Sequence, residues 1–192
     1  MQLTMSKYLA YVLTTLFALV QLTVANFDLY QVHGVLATGP WPGTEIKGWK
    51  VVNDDPRCDQ IDLNAGWRSA GDLSHGRRDI RCEGKCGIND PPWPDVKLVE
   101  MHFTNNPLWH FTIYKGRGYN VDGTWRMGLL GTDNKQYGEC FAYEGHAFSC
   151  KYPDVHIQLD GQRKFRCFAQ INANDINNAY KNEKPADGEQ SD

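Results

Sequence analysis

The chain has 192 residues, a length that suits one hydrophobic core and leaves little room for a second. Its formal net charge is −3, with 20 Lys and Arg against 23 Asp and Glu. That balance excludes general affinity for nucleic acid, which needs a basic footprint.

Residues 1–25 read as a secretory signal peptide. Lys7 supplies the positive start, Tyr8–Val20 the apolar run, and Thr23-Val24-Ala25 the small residues for cleavage before Asn26. The run falls short of the ~20 residues that a bilayer core demands of a helix. No second run follows, so the mature chain is expected to be extracellular and without a membrane span. Losing Lys7 brings its charge to −4. It carries no Asn-X-Ser/Thr sequon, so no N-glycosylation is expected.

The alternation in Phe27–Leu36 predicts a first strand. Thr38–Gly43 is a Pro/Gly loop holding Trp41, and Gly48–Val52 a second strand. Asn53-Asp54-Asp55-Pro56 turns the chain. The spacing of Cys58, Ile61 and Ala65 then predicts a short helix from Cys58 to Trp67, with Asp55 or Asp59 near its start. A short strand over Asp79–Cys82 follows, then an irregular stretch, Gly84–Pro94, with Trp93 inside Pro91-Pro92-Trp93-Pro94.

Val96–Tyr114 carries the clearest pattern, two β-rich runs joined through Asn105-Asn106-Pro107-Leu108. With Thr104 opposite Trp109, simple pairing sets His102 against Phe111, Glu100 against Ile113 and Phe103 against His110. Glu100, His102, Trp109, Phe111 and Ile113 then share one face, and His110 lies on the other. A slip of one residue would reverse that division.

Further strands are expected at Tyr119–Val121, Thr124–Leu130, Glu139–Tyr143, His146–Cys150, Val155–Leu159 and Lys164–Ala169, with Asp160-Gly161 as a hairpin turn between the last two. Asn174 or Asp175 caps a brief helix through Tyr180. Residues 182–192 read as a disordered acidic tail. The expected fold is one mostly β domain over residues 26–181, an antiparallel sandwich or barrel with one or two short helices.

The six cysteines, Cys58, Cys82, Cys86, Cys140, Cys150 and Cys167, all follow the signal segment, and an even count in a secreted chain reads as three disulfides. Cys140 and Cys150 flank Tyr143-Glu144-Gly145-His146, a plausible turn, and are the expected pair; the other four can pair three ways. Cys82-x3-Cys86 lacks the second ligand pair a zinc site requires, so no metal or cofactor is expected.

Glu100 and His102 sit two apart on a strand, the acid–base equipment of many secreted hydrolases, and Arg126 or Arg166 could stabilise anionic charge beside them. The competing reading is a satisfied structural network. No H-E-x-x-H, G-x-S-x-G or G-x-x-x-x-G-K motif is present. Trp49 and Trp109, inside strands, read as core. Trp41 and Trp93, in Pro-rich loops, are the binding candidates.

Several segments together resemble small secreted cysteine-containing proteins of filamentous fungi, many of them plant-associated. The residues that carry this are Asn26–Val32, Arg81–Gly84, Glu100–Phe103, Tyr114–Gly118, the Cys140 and Cys150 region, Arg163–Cys167 and Asn174–Asn177. Members are described as effector candidates, and no catalytic residues carry over. The resemblance implies secretion and a disulfide-stapled fold. The first expectation is therefore a non-enzymatic effector that binds a host protease, receptor or glycan and modulates host defence or virulence. The alternatives are a small nuclease-like hydrolase using Glu100 and His102, and a cell-death-inducing elicitor or toxin.

Overall fold

The computed structural model describes residues 25–36, 44–73, 76–91 and 95–183. Residues 1–24 of the signal segment, Trp41, His75, Trp93 and the tail from residue 184 lie outside them. Among the described residues there are eleven strands: β1 (Ala25–Leu36), β2 (Thr44–Val52), β3 (Trp67–Ala70), β4 (Ile80–Gly84), β5 (Val96–Asn105), β6 (Leu108–Tyr114), β7 (Tyr119–Val121), β8 (Thr124–Gly131), β9 (Gln136–Ala142), β10 (Ala147–Tyr152) and β11 (Ile157–Ala169). One α-helix, α1 (Ala173–Asn182), follows.

Nine of these strands close into a barrel. Neighbours run β1-β2-β3-β4-β5-β6-β8-β9-β11, and β11 pairs back onto β1 along its whole length. Nine strands cannot alternate in direction around a closed ring. The mismatch is absorbed at β3–β4, which pair in parallel while every other junction is antiparallel. Closure leaves the ring without an open edge, which matters for a chain this rich in β-formers.

The interior is filled from all nine strands. Phe27, Trp49, Trp67, Ile80, Met101, Phe111, Leu129, Cys140 and Phe165 each come from a different one, and all belong to a single buried cluster. Phe103 sits among them, edge-on to Phe27 and Trp67 at 5.7 and 5.3 Å. Helix α1 lies across one mouth of the barrel. Its Ala173 and Ile176 are buried in the same cluster, and Asn177 Nδ2 donates to the Val51 carbonyl. Asn172 caps it, accepting from the Asp175 amide while the Asp175 carboxylate accepts from the Asn172 amide, each at 3.0 Å.

A second, smaller core lies outside the barrel. Tyr30, Val32, Val52, Ile61 and Leu159 pack together, with Phe148 against them. The segment 53–66 folds over this face. Lys50 Nζ pins it by donating to the carbonyls of Asp62 and Ala65, and the Cys58–Cys150 disulfide ties it to β10. Burial draws the Lys50 amine down to about 8, against a weaker opposing pull from Asp62. Only Cys58–Gln60 is helical here, as a single 3₁₀ turn, not the helix expected through Trp67. The Asn64 amide turns back onto the Asp62 carboxylate, a local bond that competes with helix, and Trp67 opens β3 instead.

Two further expectations are corrected. Asp160-Gly161 makes no hairpin: β11 runs unbroken from Ile157 to Ala169, paired throughout with β1. Gly161 is there because the Phe148 ring lies against its Cα, where any side chain would collide. Cys140 does not pair with Cys150. Strands β9 and β10 flank β11 on the same edge, one beside each half of it, and never pair with each other. Cys140 is in register with Cys167 on β11 and bonds to it, Cys150 bonds to Cys58, and Cys82 to Cys86.

Candidate functional site

The hairpin β5–β6 places Glu100 among polar partners on the outer wall of the barrel. Its turn-end pair, Thr104 with Trp109, is the expected one, but a β-bulge at Phe103 slips the register above it. His102 therefore faces His110, and Glu100 faces Thr112. Val99, Met101, Phe103, Phe111 and Ile113 all turn inward, and Glu100, His102 and His110 gather outside. The extra residue lets the large apolar groups of both strands share the interior. It also corrects the expectation that the two histidines lie on opposite faces.

Glu100 is held from two sides. His110 Nε2–H donates to its Oε1 at 2.9 Å, and an Arg81 nitrogen from β4 donates to Oε2 at 3.0 Å. Arg81 also bonds Glu83. A carboxylate on Nε2 leaves Nδ1 of a neutral His110 with its lone pair, the state of a general base. His102 stacks on His110 with ring centroids 4.6 Å apart and planes 13° from parallel. It is 3% exposed, and among the described residues neither ring nitrogen has a hydrogen-bond partner. Burial, then the neighbouring His110, holds its pKa below the usual imidazole value. His102 is thus packing rather than an acid or base.

The two other expected arginines lie elsewhere. Arg126 on β8 pairs with Glu139 at 3.6 Å. Arg166 binds Asp28 through two nitrogens at 2.7 Å each and reaches Asp54 at 2.7 Å. Its hydrogen bond to Asp28 raises its pKa. Arg163 joins the same cluster through Asp28 and Asp55, and both guanidinium groups lie over the Tyr143 ring. Asp28, Asp54 and Asp55 converge closely, but on guanidinium groups, so the chain itself supplies the positive charge there. This network joins β1, β11 and the 53–55 turn, and its role is structural.

A cleft of about 440 Å³ opens at the same end of the barrel that α1 crosses. Trp109, His110 and Phe111 from β6, Gly131 at the end of β8 with Thr132 and Asp133 after it, Tyr137 on β9, and Gln170 and Ile171 after β11 form its walls. Phe111 and Tyr137 meet at 5.8 Å between centroids. Tyr137 lies across Gly131, which has no side chain to obstruct the ring. The Tyr137 hydroxyl donates to Asp133 at 3.0 Å, and Lys135 pairs with the same carboxylate at 3.1 Å. The Lys135 amide, then its ammonium, holds Asp133 below the usual carboxylate range. Trp109, read from the sequence as core, is only partly buried and lines this cleft.

Sequence reasoning found Glu100 but not Arg81 or His110 as its partners, because both depend on strand register. Asp133 and Tyr137 carried no signal beyond turn chemistry at Asp133-Asn134. Among the described residues no helix is long and apolar enough to cross a membrane. Set against family models, curated proteins and solved structures, the chain matches none of them.

Proposed function

We propose that the chain is a secreted effector-like protein that acts outside the fungal cell by binding a host component, and that the cleft at the barrel mouth is its recognition surface. One observation carries this reading: a concave, aromatic-walled site with a few polar groups, on a frame closed by nine strands and three disulfides. A rigid frame of that kind presents a site with little ordering cost on binding. The signal-like residues 1–25 and six paired cysteines support an extracellular setting. The test is affinity capture from host extracellular fluid with oxidised residues 26–192, beside a Tyr137→Ala copy. A partner retained by the first and lost by the second supports the reading. Equal retention by both would remove the cleft from it.

A second reading, a small hydrolase, is favoured by the Glu100–His110 pair with Arg81 beside it. Here His110 takes the role first given to His102. Turnover of RNA by the oxidised protein, abolished in Glu100→Gln, would establish it; absence of turnover would leave the cluster structural.

A further inference from the structure

We infer that the mouth cleft takes a neutral sugar, the pyranose end of a glycan; the inference rests on the cleft being the binding site. Size sets the first limit. At about 440 Å³ the cleft lies within the roughly 300–1,000 Å³ of small-ligand sites. A protein partner held there alone would lack most of the ~800 Å² per side that stable association uses.

Charge sets the second. None of the described residues lining the cleft is Lys or Arg, and its one imidazole, His110, is bonded to the Glu100 carboxylate, so an anionic ligand finds no unpaired counter-charge. Its one carboxylate, Asp133, is already paired with Lys135, which removes the net attraction a cationic ligand would need.

What remains is a ligand with an apolar face and hydroxyls at its edge. The rings of Trp109, Phe111 and Tyr137 offer aromatic surface to the C–H face of a pyranose. Asp133 and Gln170 offer acceptors to its hydroxyls at the rim, where hydrogen bonds replace those to water.

The experiment is an amide- and indole-detected NMR titration of the oxidised protein with xylotetraose, cellotetraose and chitotetraose, and separately with tetramethylammonium. The three sugars separate a plant-wall source from a chitinous one. Expected are saturable shifts at the Trp109 indole and at Gly131 and Asp133 with one sugar, and about tenfold weaker binding in Tyr137→Ala. Tyr137 is 47% exposed, so that variant should keep its melting temperature. If it does not, Asp133→Asn serves, with the same loss of sugar shifts expected. Shifts with tetramethylammonium alone would overturn the inference in favour of a cation site. No shift with any probe, while Tyr137→Ala still abolishes partner capture, would overturn the sugar and keep the cleft. Loss of neither would remove both.

Discussion

His102 ties the stability of this fold to pH. It is buried against His110, and both ring nitrogens lack partners among the described residues. The folded protein therefore disfavours its charged form: burial, then the neighbouring His110, lowers its pKa against weaker opposing contributions from Asn105, Glu183 and Thr104. The unfolded chain binds a proton near the ordinary value of about 6.5, so below that pH it carries more protons than the native state. Stability from this group is complete above about pH 6.5 and is lost as pH falls toward the lowered folded value. Urea midpoints at about pH 7.5 and about pH 5.5 should show a drop in the native protein and a smaller one in His102→Leu. An identical drop in both would place the acid sensitivity elsewhere. Asp28 makes a sharper case, since it is fully buried between Arg163 and Arg166. Asp28→Asn leaves two guanidinium groups without their shared carboxylate, and a loss of about 3–5 kcal/mol is expected. Glu83→Gln, at a half-exposed pair with Arg81, should cost under about 1 kcal/mol in the same assay.

At the scale of elements, disulfides of different span should differ in worth. Cys58–Cys150 closes a separation of 92 residues, Cys82–Cys86 one of 4. In the chain-entropy account the first is worth about 4–5 kcal/mol and the second about 2. Paired Cys→Ala variants measured by denaturant should reproduce that order, and the long-span variant should also loosen segment 53–66 to hydrogen exchange. The alternation of Phe27–Leu36 and the Asn105–Leu108 turn made strands and hairpin legible, because both are local patterns. What stayed hidden was non-local. One bulge residue at Phe103 leaves composition unchanged yet moves His110 to the face of Glu100. Another at Lys164 lets Leu159 face the outer core while Phe165 faces the barrel. Cys140 finds Cys167 only because β9 lies beside β11. Asp160-Gly161 has turn chemistry, but its glycine serves the Phe148 ring. The candidate site was therefore half legible: Glu100 showed as a carboxylate on a strand, and its partners waited on register.

For the whole molecule, closure predicts how damage spreads. Strands β1 and β5 lie on opposite sides of the ring, and both reach the mouth that α1 crosses. Ile176 of α1 is fully buried in the interior cluster that every barrel strand shares. Ile176→Ala should cost about 2–5 kcal/mol, for the lost transfer energy and the cavity it leaves. That is a large part of the ~5–15 kcal/mol typical of a whole domain. In an open sheet such damage could stay near the helix, where a local unit opens alone. In a closed barrel with one interior, no strand separates without breaking two neighbours. The slowest-exchanging amides of β1 and β5 should therefore lose the same free energy of opening as the midpoint reports. Native-state hydrogen exchange checks this directly. If protection falls only in α1 and the ends of β2 and β5, the helix is a separately opening lid over the mouth. Equal loss on both walls makes helix and barrel one cooperative unit, and the cleft beside them a site of fixed shape.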